Sequence, residues 1–314
     1  MFEFKHYSPD DARTWDDFVA ASRQPVFLFL RGYMDYHRKR FTDHSLMILR
    51  EGRLYALLPA NAGDDGTLWS HQGLTYGGLI TSSAATAADT LDLMEELNTH
   101  LAGEGFRRVV YKPVPWIYCR QPAQEDLYAV TQVCHATLCV RNLSATVDMG
   151  QPLKWRHDRH YNANKAARNG IVVEQDNGAL PEFWDVLDGN LMATYQARPV
   201  HSLDEMRLLV EVFPRHIRLY VARWQGRVVG GVLVYVMPGV VHTQYISASA
   251  EGKRLHAVDA LVRAIMEEWR GRCRYFDFGT SNEDRGRTLN RSLIAQKEGF
   301  GGRGVCYDWY AWDL

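Results

Sequence analysis

An aspartate inside an apolar run is the residue of this chain whose chemistry most needs explaining. In Cys273 to Gly279 (CRYFDFG) a strand would turn Phe276 and Phe278 to one side and Tyr275 and Asp277 to the other. A carboxylate in a central strand is costly to desolvate unless it meets a cation or several N–H donors. Asp277 is therefore either a buried anchor for the following loop or a group that touches substrate. Further on, Lys297-Glu298-Gly299-Phe300-Gly301-Gly302 ends a helical pattern, with Gly299 as its stop and Lys297 in the last turn.

A second cluster lies in Lys154 to Gly170 (KWRHDRHYNANKAARNG). At 100° per residue Lys154, Tyr161, Lys165 and Arg168 share one face, with Asp158 among them and Ala163, Ala166 and Ala167 roughly opposite. Such a cationic face suits a nucleotide diphosphate, a lipid pyrophosphate or a tRNA backbone, although charge runs are as often simply solvated. His157 and His160 are three apart with no third ligand nearby, so no metal is expected. Five cysteines without a paired CxxC pattern read as reduced, mostly buried thiols, and none looks like a nucleophile.

The elements that must position these groups fit the bulk composition. The chain has 314 residues, 46% hydrophobic and 23% charged, which suggests two domains, here 1–150 and 151–314. Lys plus Arg number 36 against 37 for Asp plus Glu, so no overall field gathers DNA or an anionic membrane. The apolar runs are too short to span a bilayer, and the acidic, Pro9-containing N-terminus is unlike a secretory leader. The expectation is a cytoplasmic protein that starts at Met1.

Helical spacing marks residues 10–22, Phe27 to Arg40 and Ala84 to Leu101, and strands flank Glu51-Gly52-Arg53. Thr67 to Thr81 reads as a glycine-rich third strand, and Arg107 to Pro113 as a fourth. The second half repeats the order. Helices over Pro181 to Tyr195 and Leu203 to Phe213 precede strands around Gln225-Gly226-Arg227, a strand from Val240 to Ser249, a helix from Leu255 to Trp269, and the Asp277 strand. A further helix is expected to open at Glu283, Asp284, Arg285 and Arg287 and to turn Leu289, Leu293 and Ile294 inward. The fold class is α/β with a mixed sheet, built from one duplicated unit.

The FDFG, LN and KEGFG residues of Tyr275 to Tyr310, together with Lys154 to Gly170, resemble FemAB-related acyltransferases, whose two tandem domains have the GNAT fold. The resemblance implies an N-acyltransferase that joins an activated acyl donor, acyl-CoA (acetyl-CoA) first and charged tRNA as the alternative, to an amine of a small-molecule or lipid-linked envelope precursor. A nucleotide-linked amino sugar is one such acceptor, and a silent duplicate that only binds is a third reading. It places the active half at the C-terminus and makes Lys297 the cation that meets the donor or the oxyanion, with Asp277 or Glu298 taking the amine's proton. Tyr245, Ser247, Ser249, Gly252, Lys253 and Arg254 occupy the donor-binding position, though a single glycine there departs from the usual CoA loop. His242 and Gln244 fall where donor and acceptor meet, and Lys154, Tyr161, Lys165 and Arg168 where the acceptor binds. The oligomeric state is not legible.

Overall fold

The computed structural model describes residues 1–314, the side chain of Tyr195 excepted. It divides into two compact units: residues 1–143 with 282–289 and 305–314, and residues 144–281 with 290–304.

In the first unit Phe2–His6, Leu46–Arg50, Arg53–Leu58 and Ile80–Thr81 lie side by side in that order, all antiparallel. In the second, Val172–Gln175, Ile217–Trp224, Arg227–Met237 and Val240–Ala248 repeat the pattern. Both central hairpins turn on two residues with positive φ, Glu51 and Gly52 (51° and 71°) and Gln225 and Gly226 (50° and 78°). Such turns match the right-handed twist of the strands they join, which is why the same dipeptide logic recurs in each half. Helices Ala87–Gly103 and Ala257–Trp269 hold equivalent places after the fourth strand, and Arg108–Tyr111 and Tyr275–Thr280 follow them. The duplication seen in the periodicity is thus a duplication of topology.

Each unit has its own apolar interior. Leu46, Ile48, Leu58, Leu93, Met94 and Leu97 belong to the buried cluster of the first. Phe183, Leu209, Leu233, Ile265 and Phe276 are buried in the second, where Ala257–Trp269 packs on its strands through the stripe Leu261, Ile265 and Trp269.

Several expectations need correction. Phe27 to Arg40 is no single helix: Phe27–Phe29, Arg31–Met34 and Asp35–His37 are separate turns, because Leu30 is extended (ψ 141°) between the first two. Thr67 to Thr81 contributes only the short strands Thr67–Trp69 and Ile80–Thr81. The helix expected from Leu255 begins at Ala257 and runs to Trp269, with His256 left-handed (φ 60°) before it and a separate short helix, Ala250–Arg254, ahead of that. Glu283 to Arg287 does not open a helix. Asp284, Arg285 and Gly286 all have positive φ and close a small hairpin between Asn282–Glu283 and Thr288–Leu289. The helix begins at Arg291, capped by the Asn290 side chain on the Leu293 N–H, so Leu289 is left exposed. The thiols are less buried than expected: Cys134 is buried, Cys119 and Cys273 are half-buried, and Cys139 and Cys306 are exposed on strands.

Candidate active site

The site of the second unit is built where two parallel strands part. Val240, Val241 and His242 pair with Tyr275, Phe276 and Asp277, and the pairing stops there. Beyond it the Val240–Ala248 strand carries a bulge: Leu233 faces Tyr245 but Val234 faces Thr243, so Gln244 stands outside the ladder. A bulge bends its strand and re-aims the residue it contains. On the other strand Gly279 turns away at φ 73°, a conformation that only glycine adopts freely. The two irregularities open the sheet just past His242 and Asp277.

Asp277 is fully buried (0% exposed) and accepts hydrogen bonds from Ser144 Oγ (2.5 Å), Thr146 Oγ1 (2.7 Å) and His242 Nδ1 (2.7 Å). Burial alone would raise its pKa, but the His242 bond and charge and the two hydroxyl bonds outweigh it and hold the carboxyl well below the usual carboxylate range. An ionised Asp277 accepts the Nδ1–H of His242, so Nε2 is the basic nitrogen of the neutral ring. The ring edge lies close to the strand exit: a Cβ on Gly279 would sit 3.2 Å from His242 Cε1.

Lys297 is 6% exposed, and its Nζ donates to the carbonyls of Gly279 (2.9 Å) and Thr280 (2.7 Å). Burial brings its ammonium down to about 8, against the opposing attraction of Asp277. The lysine thereby holds the turn that carries the strand away from His242. Glu298, its neighbour in sequence, points to solvent on the same helix.

The segment expected to meet the donor is compact. Tyr245 Oη bonds His201 Nδ1 (2.7 Å), and Ser247 is buried against the Val186 carbonyl (3.5 Å). Ser249 caps the helix Ala250–Arg254 by accepting the Gly252 N–H (3.1 Å). A Cβ on Gly252 would lie 2.0 Å from the Val229 carbonyl oxygen, so close helix-to-strand packing already requires this glycine. Lys253 bonds Asn190 Oδ1 (2.5 Å) and Arg254 pairs with Glu251 (3.3 Å).

The basic segment is rearranged relative to expectation. Its helix is His157–Arg168, so Lys154 precedes it and does not share a helical face with Tyr161, Lys165 and Arg168. Tyr161 and Arg168 are exposed, with the guanidinium 5.8 Å over the ring. Lys154 instead lines a cavity of about 270 Å³ with Trp155, His160, Arg263, Met266 and Arg270. Ala163 and Ala166 are buried as anticipated, whereas Ala167 is exposed. Arg159, not singled out in the sequence, pairs with Asp259 (3.1 Å) beside Phe300.

Ser144 and Thr146 were also missed. Their signal was present: in Ser144-Ala145-Thr146-Val147 the hydroxyls alternate with apolar residues, which places both on one face of a strand.

In the second unit the parallel strand pair parts beside a buried His–Asp couple, and the antiparallel four-strand order of that unit occurs in the first as well. Residues 154–285 match the family described as acetyltransferase (GNAT) domain. The fold is similar to that of FemX (TM-score 0.70, 10% identity, 99% of this chain and 97% of that one). It is also similar to a tandem GNAT protein from the clavulanic acid biosynthesis pathway (0.57, 12%, 100% and 98%). A third likeness is to the C-terminal domain of a putative lysylphosphatidylglycerol synthetase from Agrobacterium fabrum (0.62, 14%, 96% and 91%). No curated protein matches the sequence. Residues 154–285 thus carry a GNAT acyltransferase domain, and the chain as a whole shares the fold of these tandem structures. Among the described residues, no helix is long and apolar enough to cross a membrane.

Proposed function

We propose that the second unit joins an acyl group to an amine, with His242 as the base and Asp277 as the residue that orients it. The observation that carries this reading is the 2.7 Å His242–Asp277 bond at the point where the strands part. The acceptor ammonium gives a proton to water, and the neutral amine attacks the acyl carbon while His242 Nε2 takes its second proton. The oxyanion is met by a backbone N–H of the bulge at Gln244. Collapse breaks the bond to the leaving group, which receives the proton from His242. Lys297 acts here by holding Gly279 and Thr280, and Glu298 has no part in proton transfer.

The donor is an acyl-CoA, by the GNAT family match, and the acceptor an amine on an envelope or polysaccharide precursor such as a nucleotide-linked amino sugar. The cations lining the cavity beside Lys154 suit the phosphates of such an acceptor. Assays that follow thiol release from acetyl-CoA and longer acyl-CoAs in the presence of amino-sugar nucleotides test it. Turnover that disappears in His242→Gln is the expected result; a fully active His242→Gln protein would falsify the assignment of the base.

A second donor, aminoacyl-tRNA, follows from the resemblance of Tyr275 to Tyr310 to FemAB-related enzymes and is favoured by the engagement of Lys253 and Arg254 with Asn190 and Glu251. Binding of a charged RNA weakens steeply with salt, whereas a single CoA responds weakly, so affinity measured across a salt series separates the two.

A further inference from the structure

Outside the active half, three histidines and a glutamate converge on one surface of the first unit. His6 ends the first strand opposite Leu46, His44 stands two residues before Leu46, and His100 and Glu104 are one turn apart in the last turn and C-cap of helix Ala87–Gly103. His6 Nε2 lies 2.7 Å from Glu104 Oε1, and His44 Nε2 lies 2.8 Å from Oε2. His100 Nε2 is 3.4 Å from Oε1 yet makes no hydrogen bond, although that nitrogen is buried. A buried ring nitrogen aimed at a carboxylate without bonding it calls for a partner.

Flanking rings hold the imidazoles in place. Phe4 stacks on His100 (4.7 Å) and Phe106 meets His44 edge-on (4.7 Å). The backbone adds to this, since the His44 N–H donates to the Ala60 carbonyl and the Glu104 N–H to the His100 carbonyl.

We propose that His6, His100 and Glu104 form a binding site for a divalent transition metal of the zinc class, with His44 orienting the carboxylate from behind. The ligand atoms of the three already lie within 4.8 Å of one another. Tetrahedral zinc, with bonds of about 2.0–2.2 Å, needs them about 3.4 Å apart; His100 Nε2 is already 3.4 Å from Glu104 Oε1, while His6 Nε2, at 2.7 Å from the same oxygen, has to open by a small side-chain rotation. Two imidazoles and a carboxylate are a zinc donor set, and one helical turn between His100 and Glu104 presents two of them side by side. His6 is half exposed, which gives the ion a way in. Binding needs both imidazoles deprotonated at Nε2, so affinity rises with pH. The metal would tie the first strand to the end of the helix.

Tag-free full-length protein, stripped with chelator, tests the site by zinc titration and by the visible spectrum of added Co2+. The expected result is one zinc per chain, a higher melting temperature with zinc, and a tetrahedral Co2+ spectrum without a thiolate charge-transfer band. His6→Gln and His100→Gln should each weaken binding at least ~100-fold and His44→Gln about 10-fold. Circular dichroism of each variant with chelator shows whether it is folded. Absence of zinc uptake, a thiolate band, or unchanged affinity in both folded His6→Gln and His100→Gln would overturn the proposal.

Discussion

His242 Nδ1 donates to Asp277 Oδ2 across 2.7 Å between residues that face each other on adjacent parallel strands. The pair is the last rung before the strands part, so whatever the carboxylate does to the imidazole is felt at the mouth of the opening. In the proposed reaction this makes Asp277 a positioning residue and gives proton transfer to the histidine.

Asp277→Asn keeps the shape and removes the charge. An amide can donate to Nδ1 and stabilise the wrong tautomer, so kcat should fall by at least ~100-fold, with a smaller change in KM. Steady-state kinetics on the folded variant are the check.

The same substitution has a pH signature. The Asp277 carboxyl titrates below its unfolded value, so its stabilising contribution is present above about pH 4 and is lost as pH falls further, toward the folded pKa. Asp277→Asn should therefore cost about 3 kcal/mol at pH 7, as expected when one partner of a buried pair is removed, and less at pH 3. Urea denaturation at the two pH values measures the difference; equal losses would argue against a buried ionised carboxylate.

Lys297 carries the opposite sign. Burial lowers its pKa to about 8, so between pH 8 and the unfolded value near 10.4 the unfolded chain binds more protons than the native one. Stability relative to Lys297→Met should rise with pH across that window and be flat below it. Loss of its bonds to the Gly279 and Thr280 carbonyls should loosen the turn beside His242 and reduce turnover by about tenfold, roughly 1.4 kcal/mol of barrier.

Gly252→Ala separates packing from donor binding. The added Cβ would be 2.0 Å from the Val229 carbonyl oxygen, so the helix Ala250–Arg254 must move. A loss of about 2–3 kcal/mol in stability is expected, with donor KM changed little in the protein that remains folded. A large rise in donor KM at unchanged stability would return Gly252 to the donor site.

Much of the architecture was legible because its signals are local. Two-residue turns with glycine second, apolar stripes at helical spacing and strand alternation all act over a few residues, and their recurrence exposed the duplication before any tertiary contact was known. Asp277 was legible as a problem, since a lone carboxylate between phenylalanines must find partners. Who those partners are was not. His242 is 35 residues away, and Ser144 and Thr146 are 133 and 131 residues away.

Surroundings that the sequence did not reveal share a cause. Asp284 and Arg285 favour no particular backbone strongly, and only closure of the small hairpin puts them at positive φ. Lys297 carries the charge of a surface residue, yet two carbonyls of a strand exit draw it inside. His6, His44 and His100 are scattered through a hundred residues, and the register of Phe2–His6 on Leu46–Arg50 brings the first two of them onto Glu104. The sequence by itself determined the periodic elements, the duplicated order and the need to satisfy one buried charge, all consequences of short-range geometry and desolvation. Tertiary structure alone decided which distant groups met that need, because strand register and helix packing set side-chain distances that no spacing along the chain encodes.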